Sequence, residues 1–171
     1  MNKKMLEIGC GKMSENPEGG LDAVALDLDR GDLYRSVLRE TPPLLQANSE
    51  YLPFPEGVFD IILARNVIGE PALGQSSGYL DTFSNRDFES ALKLKLRILG
   101  EAARTLVPAG KIIVAESYTP EVAEEFFETQ AANLPLGVSR PREVEFDTRL
   151  TPFASRHMSG KYRTWALTKL N

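Results

Sequence analysis

At 171 residues the chain has room for one domain and not two, and 42% hydrophobic with 26% charged residues excludes wholesale disorder. The single cysteine, Cys10, excludes an internal disulfide and any cysteine-rich zinc site, and no metal site is expected. Apolar runs such as 61–64 and 112–115 fall far short of the roughly 20 residues that span a bilayer. After Lys3-Lys4 only Met5 and Leu6 precede the charge of Glu7, so no signal peptide is expected, and a cytoplasmic protein with no membrane contact is.

The net charge of −4 disfavours nucleic acid as a broad partner, although the charge is uneven. Residues 139–171 carry seven Lys/Arg against three acids, while residues 1–138 are strongly acidic. A solvated basic face is the simpler reading of that tail, and a contact for an anionic substrate is the other.

In chain order, strand-length apolar runs occur at Met5–Ile8, Ala23–Leu28, Leu44–Ala47, Phe59–Ala64, Lys111–Glu116 and Tyr162–Leu170. Several lack polar alternation, as strands of a parallel sheet covered on both faces do. The link from the first to the second is short and broken by Asn16-Pro17 and Gly19-Gly20, so the first crossover helix is expected to be reduced or missing. Phe88–Leu106 reads as a helix, with Phe88, Leu92, Leu96, Leu99, Ala103 and Leu106 at spacings of three and four, stopped by Val107-Pro108-Ala109-Gly110. Pro120–Leu134 reads as a second helix, with Thr119 as N-cap and Pro120 in its first position. Two tail runs, Glu143–Leu150 and Tyr162–Leu170, are expected to pair antiparallel at the end of the sheet. The fold class is α/β, a doubly wound, mostly parallel sheet with an antiparallel C-terminal strand.

The chemistry-bearing feature is Leu6-Glu7-Ile8-Gly9-Cys10-Gly11 at one strand's end, followed by Ala25-Leu26-Asp27 at the next. Glycines there let the backbone turn and a ligand approach it, and the carboxyl edge of a parallel sheet is where ligands bind. A carboxylate ending the second strand suits a ribose with two free hydroxyls. A dinucleotide would want a third glycine, where Ser14 stands, and a helix N-terminus for its pyrophosphate. S-adenosylmethionine has no phosphate to seat, and loop N–H groups and acids meet its needs.

With these motifs in order, the chain resembles the class I (Rossmann-like) S-adenosylmethionine-dependent methyltransferases, in a small variant with a short loop between the first two strands. Glu7-x-Gly9-x-Gly11 is similar to their first motif, and Val24 to Asp27 to their ribose-binding strand. The run from Asn48 through Leu52-Pro53-Phe54 to Phe59-Asp60 is similar to the family's Asp-x-x-x-Leu-Pro-Phe-x-x-x-x-Phe-Asp. Glu101 to Val114 resembles its following helix, turn and strand, and Trp165 to Lys169 its last strand.

The resemblance implies S-adenosyl-L-methionine as cofactor. Glu7, Gly9, Cys10 and Gly11 would serve its methionine portion, Asp27 its ribose, and Leu28, Asn48 and Ser49 its adenine. Ala64 and Arg65 would lie beside the sulfonium. Asn48 departs from the family's acid, and Ile68-Gly69-Glu70-Pro71 lacks the histidine that many members carry after the fourth strand. An open site is implied, or one covered by a protein partner or a second copy in a homodimer. Arg65, Asn66 and His157 are the weak candidates for catalysis, with Glu70, Glu116 and Tyr118 near the expected mouth. Cys10, between glycines, reads as a small wall residue. Residues 1–171 form a single domain in this reading, and 72–87 a substrate-side insertion loop. The expected acceptor is a small metabolite or a peptide. RNA or a ribosomal protein is the alternative, and a non-catalytic cofactor- or partner-binding module the third.

Overall fold

The run Lys4–Ile8 builds the first strand, β1, buried on both faces beyond Lys4. The structure, a computed structural model, describes residues 3–9, 22–27, 44–65, 67–68, 85–116, 120–145 and 161–170. Strands β2 (Asp22–Asp27), β3 (Leu44–Gln46), β4 (Phe59–Arg65) and β5 (Leu106–Glu116) follow, with β6 (Leu136–Val138), β7 (Arg142–Glu145) and β8 (Lys161–Lys169) in the tail. They form one eight-stranded sheet in the order β3-β2-β1-β4-β5-β8-β6, with β7 also paired to β8. Pairing is parallel from β3 to β5 and antiparallel at β8, so the mixed sheet read from the sequence is observed. The short link at 10–21, where a helix was expected to be reduced or missing, lies outside the described residues, as do 28–43 and 146–160.

On one face Leu6, Ile62, Ile112 and Leu167 stand in register, and Ile8, Ala64, Val114 and Trp165 form the next row. All eight are buried in one core with helix α1 (Asn85–Thr105) and helix α2 (Pro120–Gln130) packed on them. Phe127 lies 5.4 Å from Trp165 and 5.3 Å from Phe126, ring centre to ring centre, which ties α2 to β8.

Four details differ from the sequence reading. Helix α1 begins at Asn85, so residues 85–87 of the expected insertion loop are helical and 72–84 lie outside the described residues. Its buried stripe includes Ile98, Leu99, Ala102, Ala103 and also Lys95, whose stem is enclosed while its ammonium lies 5.9 Å from the Phe126 ring centre. Helix α2 ends at Gln130 and tightens into a 3-10 turn, Ala131–Asn133, before β6, which a three-residue Leu-Gly-Val run does not announce. Finally, Val107–Gly110 is no separate turn. Leu106 already pairs with Phe59, the next partners are Ile61 and Lys111, and the intervening residues bulge out of the strand.

The last turn of α1 is capped from afar. Gly57 and Val58 donate their N–H groups to the carbonyls of Arg104 and Thr105, and the Lys169 ammonium donates to Leu106 O at 2.8 Å. Arg104 in turn donates to the carbonyls of Phe54 and Leu52, while Glu101 accepts from Arg104 and from Leu52 N–H. The Arg104 guanidinium holds the Glu101 carboxyl below its usual range.

Two predictions follow from these contacts. Ala109 is the one described non-glycine residue with a positive φ, at 61°, so Ala109→Gly is expected to stabilise the chain by about 0.5–1 kcal/mol in chemical denaturation. Glu101, with its lowered folded pKa, contributes stability above about pH 4.3, the ordinary glutamate value, and loses it as the pH falls through the lowered one. Glu101→Gln is therefore expected to lower stability at neutral pH and flatten its acid limb, measured as Tm against pH.

Candidate functional site

Strand order reverses between β1 and β4: β2 and β3 step away on one side, β5 on the other. In an open parallel sheet a crevice opens at the carboxyl ends on either side of such a switch. Here those ends are Ile8–Gly9, Arg65 with Val67–Ile68 beyond it, Asp27 on β2 and Glu116 on β5. Ile8 stands opposite Leu26 and Ala64, Asp27 opposite Gln46, and Arg65 opposite Ala115. The fold therefore brings Glu7, Gly9, Asp27, Asn48, Ser49, Ala64 and Arg65 to one edge. Cys10, Gly11, Leu28, Asn66 and His157 lie outside the described residues, as do Glu70 and Tyr118.

Gly9 is the pivot. Its φ is +65°, a region that side chains disfavour, and a Cβ built on it would lie 2.5 Å from Val67 Cγ2. A side chain is thus excluded at the end of β1 for two reasons, the turn it makes and Val67, which fills the space a Cβ would need. Val67 and Ile68 are both buried. Their N–H groups converge on one oxygen, Glu116 Oε1, at 3.1 and 2.8 Å, and Glu116 is 1% exposed. The sequence reading put Glu116 near the mouth without a role and passed over Val67. The only local signal was an apolar pair directly after a strand that ends in Arg65.

Two expected cofactor residues are placed more deeply than the motif implied. Ala64 is fully buried in the core row with Ile8 and Val114, so its side chain faces α1 and α2 rather than an open crevice. Glu7 is fully enclosed, on the face opposite to Ile8, and is engaged within the protein. Strand alternation sends both inward.

Asn48 is half-buried and already has a structural task. Its Oδ1 accepts from Glu50 N–H at 2.9 Å and its backbone carbonyl from Tyr51 N–H at 3.0 Å, an Asx-turn that carries the chain out of β3. Glu50 is held in turn by Arg97 at 2.8 Å. The amide oxygen keeps a second lone pair for a ligand.

The opposite edge of the sheet holds an open cavity of about 310 Å3 lined by Glu56, Arg104, Pro135 and Lys169 among others. Its two cations are spent on Glu101 and on backbone carbonyls, so it is a gap at the foot of α1 rather than a second site. Among the described residues no cluster of His, Cys, Asp and Glu could hold a metal ion, and no helix is long and apolar enough to cross a membrane.

No protein-family model matches the sequence, and no curated protein does. Solved structures match the fold. A SAM-dependent methyltransferase from Methanosarcina mazei superposes with a TM-score of 0.67 at 13% identity, over 99% of this chain and 93% of that one. The N-methyltransferase NodS of Bradyrhizobium japonicum, solved in complex with S-adenosyl-L-homocysteine, gives 0.60 at 13% identity, over 99% and 79%. The [4+2]-cyclase SpnF gives 0.59 at 11% identity, over 98% and 75%. The chain has the class I Rossmann-like methyltransferase fold.

Gly9→Ala tests the pivot. The added methyl must displace a buried, β-branched side chain, so a loss of about 1–3 kcal/mol is expected in denaturant unfolding. Val67→Ala in the same chain should return part of it.

Proposed function

We propose that the chain is an S-adenosylmethionine-dependent methyltransferase acting on a small metabolite or peptide. The observation that carries this reading is the bare, left-handed Gly9 at the switch point, next to a β2 strand that ends in Asp27. A backbone without side-chain bulk beside a carboxylate fits a ligand with a zwitterionic amino-acid end and a ribose. Gly9, with Cys10 and Gly11 after it, would wall the amino-acid portion. Asp27 would accept from the ribose hydroxyls, with Leu28, Asn48 and Ser49 around the adenine. Glu7 would act from beneath, through the loop it precedes. The end of β4, Ala64 by its backbone and Arg65, would lie nearest the acceptor.

When bound, the cofactor supplies a methyl carbon activated by positive sulfur. The chain's share of the work is alignment and the exclusion of water, and a dedicated base is optional. Arg65, Asn66 and His157 are the residues to examine for one. A protein partner or a second copy of the chain would complete the enclosure.

The described cations of the tail divide: Arg140 and Arg142 are exposed, whereas Arg163 and Lys169 are engaged within the protein. Arg163 pairs with Glu124 and with Glu121 at 3.7 Å, and Lys169 is bonded to carbonyls. The net charge of −4 supports a small acceptor over a polynucleotide. The cyclase among the fold relatives supports keeping a non-transferase reading as the second one.

Calorimetric titration tests the proposal. Binding of S-adenosylmethionine or S-adenosylhomocysteine is expected, and Asp27→Ala should weaken it about tenfold or more through the lost hydrogen bonds. No heat and no thermal shift at millimolar ligand would sink the methyltransferase reading. Unchanged affinity in Asp27→Ala would sink the ribose assignment alone.

A further inference from the structure

The segment that leaves β4 is held in an unusual way. A chain emerging from the carboxyl edge of a parallel sheet commonly finds water, or the next helical turn, for its N–H groups. Here two successive N–H groups, from Val67 and Ile68, point at one oxygen of a buried carboxylate. Consecutive N–H groups converging in this manner make a nest for an anion. The chain supplies the acceptor itself, from Glu116, the last residue of β5.

The tie has a geometric consequence. Val67 is the residue whose Cγ2 fills the space over Gly9. Glu116 therefore fixes, through the backbone of Val67, the wall of the turn at the end of β1. Three strand ends are joined in series: β5 through its carboxylate, β4 through its outgoing N–H groups, and β1 through a glycine that has no side chain. Removing the carboxylate oxygen would leave two buried N–H groups unsatisfied, which favours a turn that swings out toward water.

We propose that Glu116 is a positioning residue of the cofactor crevice, holding the turn after β4 so that Val67 stays seated on Gly9 and the glycine turn is preformed for its ligand. The claim rests on the methyltransferase reading for the identity of that ligand, and on the geometry alone for the clamp. A preformed turn removes an ordering cost from binding. Its loss should appear in affinity as well as in stability. A tie that served the fold alone would lower Tm and leave the affinity of the folded fraction unchanged.

The experiment uses the full chain with S-adenosylhomocysteine as the calorimetric probe and amide hydrogen exchange as the structural one. Glu116→Ala is expected to weaken binding about tenfold or more, whereas Glu116→Gln, which keeps an acceptor oxygen, should stay within about threefold. Val67→Ala should also weaken it. Glu116→Ala with Val67→Ala should bind no more weakly than the worse single variant, because both act through one contact. The Val67 and Ile68 amides should exchange slowly in the parent and in Glu116→Gln, and fast in Glu116→Ala.

Parent-like affinity in folded Glu116→Ala, or losses that multiply in the double variant, would overturn the proposal. If Glu116→Ala does not fold, Val67→Ala decides, and parent-like affinity there overturns it equally. If the parent binds neither S-adenosylmethionine nor S-adenosylhomocysteine, the methyltransferase reading fails. Exchange at Val67 and Ile68 then still decides whether Glu116 holds the turn, and slow exchange in Glu116→Ala would overturn the clamp.

Discussion

Val67 resting on the backbone of Gly9, with the Glu116 carboxylate behind it, is the contact on which the carboxyl edge of this sheet depends. A parallel sheet twists, and its strand ends are free to diverge once their ladder bonds stop. At this edge β1, β4 and β5 are bound together past the ladder by one packing contact and two hydrogen bonds. Each component demands the others. The glycine is needed because Val67 is close, Val67 is close because its N–H is held, and the N–H groups can be buried because a carboxylate meets them.

The amino edge is closed by different means. There the C-terminal carbonyls of α1 are met by Gly57, Val58 and Lys169, and the Glu101–Arg104 pair secures the loop at Leu52–Phe54. Polar groups at this end are directed at backbone and at one another. The contrast gives the sheet a working direction. One edge is satisfied internally, while the other gathers Gly9, Asp27, Asn48 and Glu116 around a switch in strand order.

The same bookkeeping bears on function. Solved structures that share this fold include methyltransferases and a cyclase, so the fold supplies a crevice and leaves the reaction to the groups around it. In this chain two cations of the C-terminal strand are drawn inward, Arg163 to the acids of α2 and Lys169 to the helix end. Arg140 and Arg142, by contrast, are exposed.

Strand positions, the parallel-then-antiparallel order of the sheet and the place of Gly9 and Asp27 at strand ends were legible because period and glycine placement are local properties of the chain. The amide of Asn48 was read as a ligand contact and its part as the anchor of its own turn was missed, since both uses ask for the same residue type. Lys95 was passed over as core because residue type marks it polar, while its stem is as apolar as a leucine. The short β6 and the bulge at 107–110 carry no period long enough to read. What the sequence alone determined was a mostly parallel sheet covered on both faces and the order in which glycine and carboxylate reach its edge. Only the tertiary structure decided that Ala64 and Glu7 are enclosed and that Glu116 closes on Val67 and Ile68. A hydrogen bond between residues separated by nearly fifty positions leaves no trace in local pattern, because its geometry exists only once β4 and β5 lie side by side.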